Sequence, residues 1–193
     1  MGTWNSRGLR GSTLEELINF SNEKYMMGNL ALIHNGIIEN YATLKERLQQ
    51  KGITFRSNTD TEVLVQLIEY VQLSNNLDLL TALQLALHEV IGAYAIALLD
   101  KRQPDTILVA RKSSPLVVGI GDDEFFMGSD ATPIVEYTDK VVYLEDNEIA
   151  VVRRGQELKV VDLENVKMKP EIQTIEMNLG QLEKGGYPHF MLK

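Results

Sequence analysis

Apolar positions along the chain change their period near residue 93, which separates a helix-forming stretch from a strand-forming one. Upstream, the short apolar run Asn29–Ile33 ends at Asn35-Gly36 and predicts a buried strand leading into a turn. Tyr41 to Lys51 is rich in Leu, Lys, Glu and Gln with Gly52 beyond it, which predicts a helix with a glycine stop. Residues 54–57 (Thr-Phe-Arg-Ser) read as a short strand. Thr59 and Glu62 then stand in capping-box spacing, and Val63, Leu67, Tyr70 and Val71 mark the apolar face of the helix that follows. Asp78 opens another helix, with Leu79, Leu83, Ala86, Leu87 and Val90 on its inner face.

From Ala93 onward the period is two. Strands are predicted over 93–99, 106–110, 116–120, 124–127, 140–144, 148–153 and 157–161, several joined by tight turns such as Gly121-Asp122-Asp123, Asp146-Asn147 and Arg154-Gly155-Gln156. Strands joined so closely pair antiparallel. Helices segregated from a strand meander indicate an α+β fold rather than a doubly wound α/β one. At the N-terminus, residues 1–12 carry neither period and are broken by Gly2, Gly8 and Gly11; Thr13-Leu14-Glu15-Glu16 has capping-box form. No internal repeat or low-complexity tract is present.

Composition narrows the function. A chain of 193 residues is long enough for one domain with a substantial core, and 44% hydrophobic with 24% charged residues is ordinary for a soluble globular protein. A net charge of −8 argues against nucleic acid and against an anionic membrane surface as partners. The most apolar run, residues 91–99, is too short to cross a bilayer. The absence of cysteine excludes disulfides and thiolate metal sites and fits a cytoplasmic protein. His34, His88 and His189 are not paired at metal-ligand spacing, so no metal and no cofactor is expected.

Five segments carry a resemblance. Leu30 to Asn40 (LALIHNGIIEN), Ser57 to Val63 (SNTDTEV), Gly92 to Ala97 (GAYAIA), Ala110 to Leu116 (ARKSSPL) with Gly128-Ser129-Asp130, and the tail Lys184 to Lys193 (KGGYPHFMLK) come in the order and spacing of one family. The chain from about Asn29 to its last residue resembles the glutaminase domains of glutamine–fructose-6-phosphate aminotransferases. These are class II glutamine amidotransferases of the N-terminal-nucleophile (Ntn) hydrolase type. The resemblance implies a four-layer αββα sandwich, which periodicity alone does not distinguish from other α+β arrangements. It also implies an activity: release of ammonia from glutamine for transfer to fructose 6-phosphate in hexosamine synthesis. The tail resembles the connector into a sugar-isomerase domain, which other class II amidotransferases do not share.

Amide hydrolysis needs a nucleophile, a proton carrier and donors for the developing oxyanion. Asn35 offers a side-chain N–H and Gly36 an unobstructed backbone N–H, although Asn-Gly is also a common turn dipeptide. In the family these two positions form the oxyanion hole. Asp60 suits the N-terminus of a helix on electrostatic grounds alone; in the family its position binds the α-ammonium of glutamine. His34 and Thr59 flank these residues and are expected to support them, His34 being equally readable as a satisfied core or rim residue. His88 reads as structural and Asp122-Asp123 as a turn. Ser113 and Ser114 lack the His–Asp partners of a serine hydrolase.

The family's nucleophile is an N-terminal cysteine, and its glutamine carboxylate is clamped by an Arg in a Thr-Arg-Trp-Ala-Thr-His-Gly motif. Neither is reproduced: Thr3 to Gly8 (TWNSRG) only echoes that motif, and neither Arg7 nor Arg10 takes over the role. The expected organisation is therefore a leader over residues 1–28 and a glutaminase-like domain over 29–193, N-terminally incomplete, ending where a sugar-isomerase domain begins in the family. The expected behaviour is loss of turnover, with glutamine or glutamate as ligand. A non-catalytic module that binds glutamine or a partner subunit is the alternative, and a module from a different amidotransferase a weaker one. Unpaired sheet edges are expected to promote homo-oligomerisation.

Overall fold

The computed structural model of the protein describes residues 26–164 and 166–175. The expectations for residues 1–25, including the capping box at Thr13, and for the C-terminal tail lie outside the described residues. Strand β1 (Met26–Met27) turns through Gly28-Asn29 into the long strand β2 (Leu30–Ile38). Three helices follow: α1 (Tyr41–Gln50), α2 (Asp60–Asn75) and α3 (Leu79–His88). The remaining strands are β3 (Gly92–Asp100), β4 (Thr106–Lys112), β5 (Val117–Ile120), β6 (Phe125–Gly128), β7 (Lys140–Tyr143), β8 (Glu148–Arg153), β9 (Lys159–Asp162), β10 (Lys167–Met168) and β11 (Gln173–Thr174).

The strands form two antiparallel sheets, one ordered β1-β2-β3-β4-β8-β9-β10 and the other β11-β7-β5-β6. The two-residue period of β2 and β3 feeds two different cores. Leu30, Leu32, Ile38, Ile96 and Leu98 face the helices, where they meet Leu44, Leu48, Val63, Leu64, Ile68, Leu83 and Leu87. The opposite set, Ala31, Ala95 and Leu99, faces the second sheet with Ile107 and Val109 and packs on Val118, Val142 and Leu144. Each fully buried Leu, Ile or Val contributes about 1.5–3 kcal/mol by leaving water. The outer face of the second sheet (Val117, Phe126, Val141) is covered by Ala131 and Ile134, from a segment of consecutive turns rather than a regular helix. The fold is thus an α+β sandwich in which two sheets lie between helical and turn layers.

Two expectations are corrected. Asn35-Gly36 is not a turn: both residues lie inside β2, opposite Ala95 and Tyr94 of β3. Gly36 has φ +136° and Gly92, two pairs along, has φ +134°, so the chain passes through a backbone state reserved for glycine without leaving the ladder. A Cβ at Gly36 would meet the Ala93 carbonyl oxygen, and one at Gly92 the Ile37 carbonyl oxygen. Residues 54–57 are not a strand either. The N–H groups of Arg56 and Ser57 donate to the Glu62 carboxylate at 2.7 and 2.6 Å, so this backbone is satisfied by a side chain and not by a neighbouring strand.

Candidate active site

The site is set by how α2 meets β2. Thr59 is the N-cap of α2, its hydroxyl accepting from the Glu62 N–H at 3.3 Å. Glu62 does not close the capping box on Thr59. Its carboxylate, buried, instead accepts from Arg56 N–H, Ser57 N–H and the Ser57 hydroxyl. Burial pushes the Glu62 pKa up, but the bonds from Arg56 and Ser57 outweigh it and hold the carboxyl below the ordinary glutamate value. The loop entering α2 is thereby fixed, and Asp60 with it.

Asp60 carries one carboxylate oxygen to the Ile38 N–H of β2 (2.9 Å) and the other to the Thr61 N–H (2.9 Å). Thr61 Oγ1 lies 3.1 Å from His34 Nδ1. The first turn of α2 is therefore tied to β2 at residues 34 and 38, on either side of Gly36.

The hydrogen-bond parity of β2 shows where Gly36 points. Backbone groups of odd-numbered residues face β3: the Asn29 carbonyl accepts from Lys101, and the Glu39 N–H donates to the Ile91 carbonyl. Even-numbered residues face the other edge, as the Ile38–Asp60 bond demonstrates. The Gly36 N–H thus points outward along the same edge as Asp60, two residues and about 7 Å from the Ile38 N–H. Both Asn35 and Gly36 are exposed. Asn35, Ala95 and Arg111 stand in a row across β2, β3 and β4 on the face turned towards the second sheet.

Among the described residues, three buried polar atoms have no hydrogen-bond partner: His34 Nε2, Tyr94 Oη and Arg111 Nε. Burial pulls the His34 pKa below its ordinary value, opposed by the Asp60 carboxylate. Burial, aided by Asp146, pushes Tyr94 up to about 12. Arg111 is held by the Leu144 carbonyl (2.6 Å) and by Asp146 (2.9 Å). Tyr94 and Arg111 lie in the segments GAYAIA and ARKSSPL, which carry the resemblance without an assigned role.

The other candidates lie elsewhere. His88 ends α3 and sits 3.4 Å from Glu164. Asp122 and Asp123 form the β5–β6 turn, closed by the Gly121 N–H on the Glu124 carbonyl. The Ser113 N–H donates to Asp146. Among the described residues, no group of three His, Cys, Asp or Glu is arranged to hold a metal, and no helix is long and apolar enough to cross a membrane.

This geometry has known counterparts. The model of the glutamine amidotransferase domain family matches residues 21–136. Curated relatives include the glutamine–fructose-6-phosphate aminotransferases (isomerizing) of Bacteroides thetaiotaomicron, 77% identical over 164 residues, and of Chlorobaculum tepidum, 52% identical over 167. The alignments cover 85% and 86% of this chain but 27% of each relative. Among solved structures, a glutamine phosphoribosylpyrophosphate amidotransferase from B. subtilis matches with TM-score 0.61 and 26% identity, over 72% of this chain and 30% of that one. A second, described as the allosteric regulatory enzyme of purine biosynthesis, matches with TM-score 0.59 and 28% identity, over 69% of this chain and 28% of that one. The sandwich is of the Ntn-hydrolase type, as the resemblance implied. With a family match over more than half its length and relatives of 77% and 52% identity that cover most of it, the chain belongs to the glutamine amidotransferase domain family.

Proposed function

We propose that the chain is the glutaminase part of a glutamine–fructose-6-phosphate aminotransferase, the part that releases ammonia from glutamine for a fused sugar-isomerase domain to use. The observation that carries this reading is the shared outer edge of β2, where the Gly36 N–H points outward and the Asp60 carboxylate accepts the Ile38 N–H two residues on. The two N–H groups stand about 7 Å apart along that edge, so an oxyanion donor and a carboxylate lie side by side on it. In this reading Asp60 binds the ammonium, and the Asn35 side chain and Gly36 N–H stabilise the oxyanion that forms when the carboxamide is attacked. Thr59 caps the helix that carries Asp60, and His34 ties that helix to β2.

The family's nucleophile is a cysteine, and this sequence contains none. The chain as it stands is therefore a binding frame for glutamine without turnover. Residues 1–28 act as a leader, and residues 29–193 form the glutaminase-like unit that joins the isomerase domain. The same combination, ammonium acceptor and oxyanion donors without a thiol, supports a second reading: a non-catalytic module that binds glutamine or a partner subunit.

Isothermal titration calorimetry with L-glutamine and L-glutamate tests the binding. Saturable binding at millimolar Kd or tighter is expected, weakened at least tenfold in Asp60→Ala, since the lost charge-assisted contact is worth about 1.5–3 kcal/mol. Thermal silence in the wild-type chain would overturn glutamine binding in both readings and leave only the partner-subunit form of the second. Steady glutamate release sensitive to Asp60→Ala would overturn the expected lack of turnover.

A further inference from the structure

His34 stands in an unusual relation to the proposed ammonium acceptor. Its ring points from β2 towards the helices, where Nδ1 meets Thr61 Oγ1 at 3.1 Å. Thr61 in turn gives its N–H to Asp60. Only one residue of α2 therefore separates the imidazole from the carboxylate. The remaining ring nitrogen, Nε2, is buried and has no hydrogen-bond partner among the described residues.

The groups around His34 leave Asp60 as its one charged neighbour among the described residues. On β3, Ile96 is directly opposite and Tyr94 diagonal, and Tyr94 keeps its proton, and so no charge, until about pH 12. On α2, Glu62 turns its carboxylate away to Arg56 and Ser57. A proton on His34 thus places a cation beside the carboxylate that, in the proposed function, receives the substrate's own cation.

We infer that His34 is a positioning residue of the ammonium subsite, and that its proton and the α-ammonium of the bound amino acid compete for Asp60. The inference rests on the reading of Asp60 as the ammonium acceptor. Neutral His34, held by Thr61, keeps the first turn of α2 against β2 and leaves the carboxylate unshared. Protonated His34 partly neutralises Asp60 and repels an incoming ammonium. Two like charges separated by a few ångströms in a partly buried setting weaken binding by roughly tenfold or more. Burial disfavours the protonated ring, so the site stays open at neutral pH and closes only in acid. Coupling of this kind is reciprocal: a bound ammonium must make His34 harder to protonate by the same factor.

The test is calorimetric titration of the full chain with L-glutamine at pH 7.5, 6.5 and 5.5, for wild type and His34→Asn. Asparagine places a polar nitrogen where Nδ1 stands, retaining the contact with Thr61, but does not titrate. Wild-type affinity is expected to fall progressively from pH 7.5 to 5.5, by less than the roughly tenfold that a fully protonated ring imposes, while that of His34→Asn stays level. The second measurement needs no variant: the imidazole of His34 is followed by NMR through a pH titration, with and without saturating glutamine. Its midpoint is expected to move down when glutamine is bound. A wild-type affinity that does not change with pH, an equal fall in His34→Asn, or an unmoved midpoint would each overturn the inference. Binding that is lost in Asp60→Ala yet independent of pH overturns it while the parent reading stands. No binding at pH 7.5 removes both.

Discussion

Glu62 shows how one side chain can replace a strand. Buried, it satisfies two backbone N–H groups and a hydroxyl of the segment leading into α2. Because its folded-state pKa lies below the ordinary value of 4.5, its ionised form is preferred in the native protein. The stability it contributes is present in full above that value and is lost as pH falls through the lower, folded-state pKa. Glu62→Gln is expected to cost about 2 kcal/mol at pH 7, the range for hydrogen bonds to a charged group, and to flatten the acid limb of stability. Urea unfolding at pH 7 and at pH 3.5 measures both effects. Tyr94 gives the opposite expectation. Its hydroxyl is buried with no partner among the described residues, so Tyr94→Phe should leave stability unchanged within about 0.5 kcal/mol or raise it. A fall in Tm equivalent to more than about 1 kcal/mol would show that the hydroxyl has a partner in solution.

At the scale of elements, the helices were the most legible part of the sequence. Thr59 and Asp78 announce α2 and α3, and each accepts a backbone N–H three residues on, from Glu62 and from Thr81. Thr59→Ala should therefore cost about 1 kcal/mol, read as a shift in the urea midpoint with no change in slope. The strand meander was legible from its period of two, because alternate residues enter different cores. Two features were hidden. Asn35-Gly36 carries the local signal of a turn, yet the strand that pairs with it, with Tyr94 opposite Gly36 and Gly92 two pairs along, lies more than 50 positions away in the chain, and no local window sees both. The two-residue strands β10 and β11 owe their existence to the neighbours β9 and β7 rather than to any pattern of their own. Site residues divide the same way. Asn35, Gly36 and Asp60 enter as candidates through a resemblance, whereas the tie from His34 to Thr61 and the row Asn35–Ala95–Arg111 emerge only from the folded structure.

At the scale of the whole molecule, the outer edge of β2 stands out. Strand β1 pairs with Leu30 and Ala31 alone, so among the described residues no strand covers β2 from Leu32 to Ile38. The opposite edge of that sheet ends in β10 and one edge of the second sheet in β11, each two residues long and poor templates for pairing. Association through the β2 edge is the expected consequence. Light scattering after size-exclusion chromatography should find more than one copy at tens of micromolar protein, and a sharp monomer would count against it. The glycine pair that holds this strand in place also governs how the fold can be recombined. Gly36 and Gly92 each occupy the space in front of a carbonyl on the other's strand. A chimera that takes β2 from one relative and β3 from another will fold only if both parents carry glycine at these two places. Where both do, a crossover between β2 and β3 is open, and where either lacks one of them, β2, the three helices and β3 are inherited as a single block.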